Sequence, residues 1–190
     1  MLSNGNKKGI KFKMKKLLIH VFLILAFIFI YLLQSIFFTN FTIAGVKPNL
    51  FVILILFIGL YTGRSIATIY GIFYGILIDL WIGKTIGITS VCLALVGIIA
   101  GIFDKNFSKD NRLIIVFVGA LSTIIYEIAV YTLQIFVFEM NVEILAFIKI
   151  LLLETIYNIF IIIILYPLIR NFGYEVESEI KGDKILTRYF

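Results

Sequence analysis

Residues 66–83 read IATIYGIFYGILIDLWIG, and within them Ala67, Gly71, Gly75, Asp79 and Gly83 stand four residues apart. Four helical residues turn about 400°, so these positions keep one face and drift by roughly 40° per step. One face of the helix is therefore nearly bare. In lipid, small residues let two backbones approach closely, and a carboxylate among them needs a partner or a wet cavity. The ridge is read as a contact surface.

Composition sets the class around it. Of 190 residues, 62% are hydrophobic, above the roughly half of soluble domains, and the mean hydropathy is +1.10. The chain is an integral membrane protein. A single cysteine, Cys92, and a single histidine, His20, leave no disulfide framework and no Cys or His cluster for a metal. No cofactor is expected. The net charge of +6 does not point to nucleic acid, because the basic residues flank apolar runs.

A helix needs around 20 residues to cross a core about 30 Å thick. Six apolar runs are placed near Leu17–Phe38, Pro48–Gly63, Ile66–Ile82, Ile86–Phe103, Leu113–Phe138 and Ile144–Ile169. The expected organisation is a lysine-rich amino-terminal tail (1–16), a six-span domain (17–170) and a short carboxy-terminal tail (171–190). The first run is longer than the 7–15 residues usual for a signal-peptide core and is read as retained. The second is the shortest, strongly apolar only over Leu50–Tyr61, and a re-entrant hairpin is its alternative. Charge parity decides for six crossings. With the amino terminus inside, Lys7, Lys8, Lys11, Lys13, Lys15, Lys16, Arg64, Lys105, Lys109, Arg112, Arg170, Lys181, Lys184 and Arg188 are cytoplasmic. Only Lys47 and Lys84 lie outside, and Lys149 falls within a span. Removing the second crossing would put most of these charges outside, against the positive-inside rule.

The segments Leu60–Ala67 and Leu80–Gly87 echo one another: an aromatic, a glycine, a basic residue and a Ser or Thr in the same order. Both read as interfacial turns in which glycine ends one helix and the hydroxyl caps the next. Gly83-Lys84-Thr85 lacks the earlier glycine of a phosphate-binding loop, since that position is Ile78.

Four ionisable residues sit inside spans: Asp79, Glu127, Lys149 and Glu154. Each costs about 2.5–3.5 kcal/mol at mid-membrane, so each needs a local reason. Asp79 and Lys149 lie at similar depth near the outer side, so they either pair, tying spans three and six, or separately reach the hydrated interface. Glu127 and Glu154 are deeper. Thr123, Glu127, Tyr131 and Gln134 form one polar stripe on span five, and Glu154 neighbours Tyr157 and Asn158 on span six. These carboxyls are read as interhelical glue, with a proton or substrate site as the alternative. Gly59 and Gly63 in span two, with Gly97 and Gly101 in span four, extend the small-residue spacing. The ridges either pack this bundle internally or stay open to a partner helix.

The pattern Lys47-Pro48-Asn49-Leu50, Gly59-Leu60, Gly63, Gly71, Gly75-Ile76-Leu77-Ile78-Asp79, Gly83 and Gly87 resembles the bacterial rod-shape-determining MreD family. That family often has Asp where this chain has Asn49. The resemblance implies a non-enzymatic subunit of the wall-elongation machinery in the bacterial inner membrane, working with MreC and through it with MreB, RodA and a penicillin-binding transpeptidase. It also implies a six-helix all-α bundle similar to the S components of ECF vitamin transporters. A transporter S component is the rival function. The first span speaks against it, with Ala26 followed by Ile30 where those proteins carry Ala-x-x-x-Ala. No zinc-protease motif, nucleophile elbow or Cys–His pairing suggests an enzyme. Pro48, Asn49, Gly59, Gly63, Gly71, Gly75, Asp79, Gly83 and Lys149 are the expected partner-binding or structural positions. The ridge with Asp79 and the turn at Trp81–Lys84 form the expected MreC surface.

Overall fold

The computed structural model describes residues 3–82, 85–106, 109–139 and 141–182. Gly83, Lys84 and the end of the expected carboxy-terminal tail lie outside them. Six main helices run through the described residues: α1 (Ser3–Leu32), α2 (Leu50–Thr62), α3 (Arg64–Ile82), α4 (Ile88–Asn106), α5 (Arg112–Phe138) and α6 (Ile144–Lys181). A π-helical stretch, Leu33–Phe37, and a last turn, Phe38–Asn40, prolong α1. No strand occurs among the described residues. The segments Met14–Asn40, Arg112–Phe138 and Ile144–Lys181 are each long and apolar enough to cross a membrane.

Helix α2 is the centre of the bundle. Its 13 residues are apolar on every side until Thr62, the mark of a helix buried all round. Ile55 and Leu56 have no exposed surface, one facing each of the two apolar clusters. Toward α1, α3 and α4, the first cluster joins Phe27, Val52, Tyr74, Leu93 and Val96. Toward α5 and α6, the second joins Phe57, Ile115, Val118, Ile162 and Tyr166. At 1.5 Å per residue α2 measures about 20 Å, short of the roughly 30 Å hydrocarbon layer. A folded-back approach precedes it. Ile43 and Val46 exchange backbone hydrogen bonds of 2.8 and 2.9 Å around Ala44 and Gly45, both at positive φ, as a type I′ reversal requires. Val46 and Pro48 are then buried, and α2 begins inside the protein.

The small-residue ridge is spent on α4. A Cβ added to Gly71 would lie 2.6 Å from the Leu93 carbonyl oxygen, and one added to Gly75 would lie 2.2 Å from Ser90 Cα. Ala67 and Arg64 meet the complementary Gly97 and Gly101 of α4, and Gly59 of α2 abuts Ala100. Of the two readings of the ridges, internal packing is the one observed. The expectation that Gly71 and Gly75 present an open docking face is corrected, because the backbone of α4 already occupies it.

Helix α6 has 38 residues, about 57 Å of helix, far more than a bilayer core needs. It continues through Pro167 and past Arg170, so the start of the expected tail is helical and packed, with Gly173, Val176 and Glu177 buried. Gly173 allows this by meeting the Tyr61 ring, where an added Cβ would approach to 2.4 Å. Beneath that ring Lys109 forms ion pairs with Asp104 at 2.6 Å and Glu177 at 2.5 Å, and Lys181 pairs with Asp104 at 2.6 Å. At the same end, Lys15 of α1 is ion-paired with Glu179 of α6.

Candidate functional site

The polar residues of the apolar interior converge on the buried start of α2. The first turn of any helix leaves backbone N–H groups without partners, and inside a membrane protein water is not at hand to take them. Here three side chains do so. Asn49, at the N-cap, accepts from Val52 N–H at 3.3 Å. Gln34, from the π-helical stretch, accepts from Leu50 N–H at 3.1 Å and donates to the Pro48 carbonyl at 2.6 Å. Asn158 of α6 accepts from Asn49 N–H at 2.8 Å and donates to Thr123 of α5 at 3.1 Å. Four elements are joined through one helix start. Pro48 suits this position because its missing N–H leaves one donor fewer to satisfy.

Helices α5 and α6 run antiparallel, and their facing rows follow from four-residue steps. Gly119 meets Ile162, Thr123 meets Asn158, and Glu127 meets Glu154. The stripe read on α5 thus faces a matching stripe on α6. The two carboxyls face one another across the seam, close to the Asn49 side chain and the Tyr126 hydroxyl. Glu154 is 8% exposed, and its Oε1 has no hydrogen-bond partner. The hydroxyls of Tyr131 and Thr155, on the same two helices, are also buried and unpartnered.

Asp79 belongs to a different place. Its Oδ2 accepts from Gly87 N–H at 2.7 Å, in the turn that precedes α4. The expected alternative of an ion pair with Lys149 is not what forms: Lys149 is exposed and does not contact Asp79. The physical need for a cation at the carboxyl end of α3 is met instead by a backbone donor and the positive amino-terminal end of α4. Gly59, Gly63, Gly71 and Gly75 all serve helix contacts or a helix end. Gly63 has φ +90° and ends α2 beside Asp104. Asn49, Glu127 and Glu154 are brought together, whereas Asp79 and Lys149 are not. Gln34 is a further member of the site that helical spacing does not single out; a lone amide in an apolar run is its signal in the sequence.

Fold and site together define a helical membrane protein whose polar side chains are directed at its own helix junctions. Residues 14–175 match the family described as rod shape-determining protein MreD, and the chain belongs to that family. The family is a structural, shape-determining one and is not a known enzyme family. No curated protein and no solved structure matches the chain.

Proposed function

We propose that this protein is a non-enzymatic scaffold of the bacterial cell-wall elongation machinery, docking MreC and through it engaging MreB, RodA and a penicillin-binding transpeptidase. Membership of the MreD family over residues 14–175 carries the reading. The architecture supports it: Gln34, Asn49, Thr123 and Asn158 join α1, α2, α5 and α6 at one helix start, which makes a stiff platform. Six crossings with both ends in the cytoplasm complete the proposal. The lysine-rich flanks and the Lys15–Glu179 ion pair, which sets the start of α1 beside the end of α6, favour that topology.

Since the glycine ridge is used internally, docking passes to outward apolar surfaces. The lipid-side face of α3 offers Ile69, Ile72, Phe73 and Leu80, and Trp81 is half exposed above it while stacking on Phe27. Between α1, α2 and α6 lies an apolar cavity of about 410 Å³, lined by Phe22, Phe29, Leu54, Phe57, Leu165 and Phe172 among others. Purification of the full chain from its own membranes in mild detergent, with mass identification of co-purifying proteins, tests the reading. Recovery of MreC is expected. Recovery of a transporter's energy-coupling subunits would favour the S-component alternative, and recovery of neither, with normal cell shape after depletion, would defeat the scaffold.

A further inference from the structure

Glu127 and Glu154 do more than join two helices. Ionised carboxylates carry acceptors only, so two of them in contact cannot hydrogen-bond unless one is an acid bearing an O–H. Two full negative charges side by side in a low-dielectric interior would also repel strongly. The groups acting on the pair are the Asn49 side chain at the start of α2, the Tyr126 hydroxyl of α5 and, from α4, the Cys92 thiol. Among the described residues, no ion pair joins either carboxyl to a lysine, arginine or histidine. A second proton is not needed, because the amino-terminal end of α2 carries partial positive charge that offsets the single negative charge left on the pair.

A second observation points to a ligand. Glu154 is more than nine-tenths buried, yet its Oε1 is unpartnered beside the α2 start. Two further hydroxyls on the same helices are orphaned, that of Tyr131, one turn along α5 from Glu127, and that of Thr155, next to Glu154 in α6. Buried polar atoms left without partners call for bound water or an ion.

We propose that Glu127 and Glu154 form a proton-binding site, holding one proton between their carboxyls at the buried start of α2. The ligand is a hydron. With the proton in place the acid O–H of one residue donates to the carboxylate of the other and closes the α5–α6 contact. When the proton leaves, two like charges face each other and that contact opens. The site is independent of which partner the protein docks.

Infrared difference spectroscopy on the full chain in lipid nanodiscs, with hydrophobic carbodiimide labelling read by mass spectrometry, tests this. Wild type at neutral pH is expected to show a protonated-carboxyl carbonyl band and labelling at Glu127 or Glu154. Both signals should vanish in the E127Q/E154Q double variant. In each single variant the band should shift or disappear, because the acid loses its carboxylate acceptor. If the double variant does not fold, the two single variants and the wild-type labelling decide the matter. Absence of the band and label from wild type, or a band left unchanged by either single substitution, would overturn the proposal.

Discussion

The α3–α4 and α5–α6 seams hold antiparallel helices together by opposite means. Across the first, backbones touch: Gly71 and Gly75 lie against the main chain of α4, and Gly97 and Gly101 against that of α3. Across the second, the helices are held apart by polar side chains: Asn158 donates to Thr123, and Glu127 faces Glu154. In lipid, apolar burial does not by itself choose a helix partner, so close packing and polar contact are the two means left. The first gives a rigid seam with no adjustable part. The second contains a group that can gain or lose charge, which is why a proton site belongs there.

The largest expected effect separates the two seams by the same substitution. Gly75→Leu places a side chain where Ser90 Cα would stand 2.2 Å from the new Cβ, so α3 and α4 must part along their length. The cost should exceed the about 1–3 kcal/mol typical of overpacking against movable side chains. Gly119→Leu in α5 meets instead the Cδ1 end of Ile162 at 2.3 Å, a group that can rotate away. Recovery of monodisperse protein and its melting temperature in detergent should be far lower for G75L than for G119L. Equal loss would erase the distinction drawn between the seams.

A second test asks whether charge outside the membrane behaves as polar contact does within it. Lys109 is 8% exposed and lies between Asp104 and Glu177, with its ammonium 5.5 Å from the centre of the Tyr61 ring. Breaking a buried pair by removing one partner costs about 3–5 kcal/mol, because the remaining charge is left uncompensated. K109M should therefore lower the melting temperature markedly and loosen the carboxy-terminal part of α6, read as faster amide exchange from Gly173 to Lys181. A variant that melts like wild type would mean that Lys181 alone satisfies both carboxylates.

These contrasts were unequally legible in the sequence. Spacing of four exposed both the Ala67–Gly75 ridge and the Thr123–Tyr131 stripe, because helical periodicity fixes which residues share a face. What faces them is set by register between helices, and a single helix carries no record of it. The ridge thus reads as a docking face although it is an internal one, and Glu127 reads as deep in the bundle without its partner being named. Neither alternative open to Asp79, a lysine or the hydrated interface, includes its actual partner, because side chains are visible in a sequence while backbone donors are not; Gly87 N–H fills the role. The shortness of α2 was visible as a weak second run. Its buried start, served by Gln34 and Asn158, depended on the reversal at Ala44-Gly45 that brings Pro48 inside. The charged segment after Arg170 read as a tail because its glutamates look solvated, yet Glu177 is buried by Lys109, which is remote in sequence.

The smallest expected effect lies one residue from the largest charge effect. Asp110 is ion-paired with Arg170 and accepts from the Tyr174 hydroxyl at 3.1 Å, but its side chain is 61% exposed and that of Arg170 45% exposed. The hydrogen bond from Arg170 holds the Asp110 carboxyl below the ordinary aspartate range. A carboxyl lowered in this way adds stability above its unfolded value and loses it as pH falls through the folded one, so the window lies below about pH 4. Exposed pairs are screened by salt and contribute little, whereas Lys109 is shielded from both water and ions. D110N should leave the neutral-pH melting temperature within error of wild type and flatten only the acid limb of a pH–melting profile, an effect that added salt should reduce. A loss at neutral pH comparable with that of K109M would show that burial is not what divides these two neighbouring ion pairs.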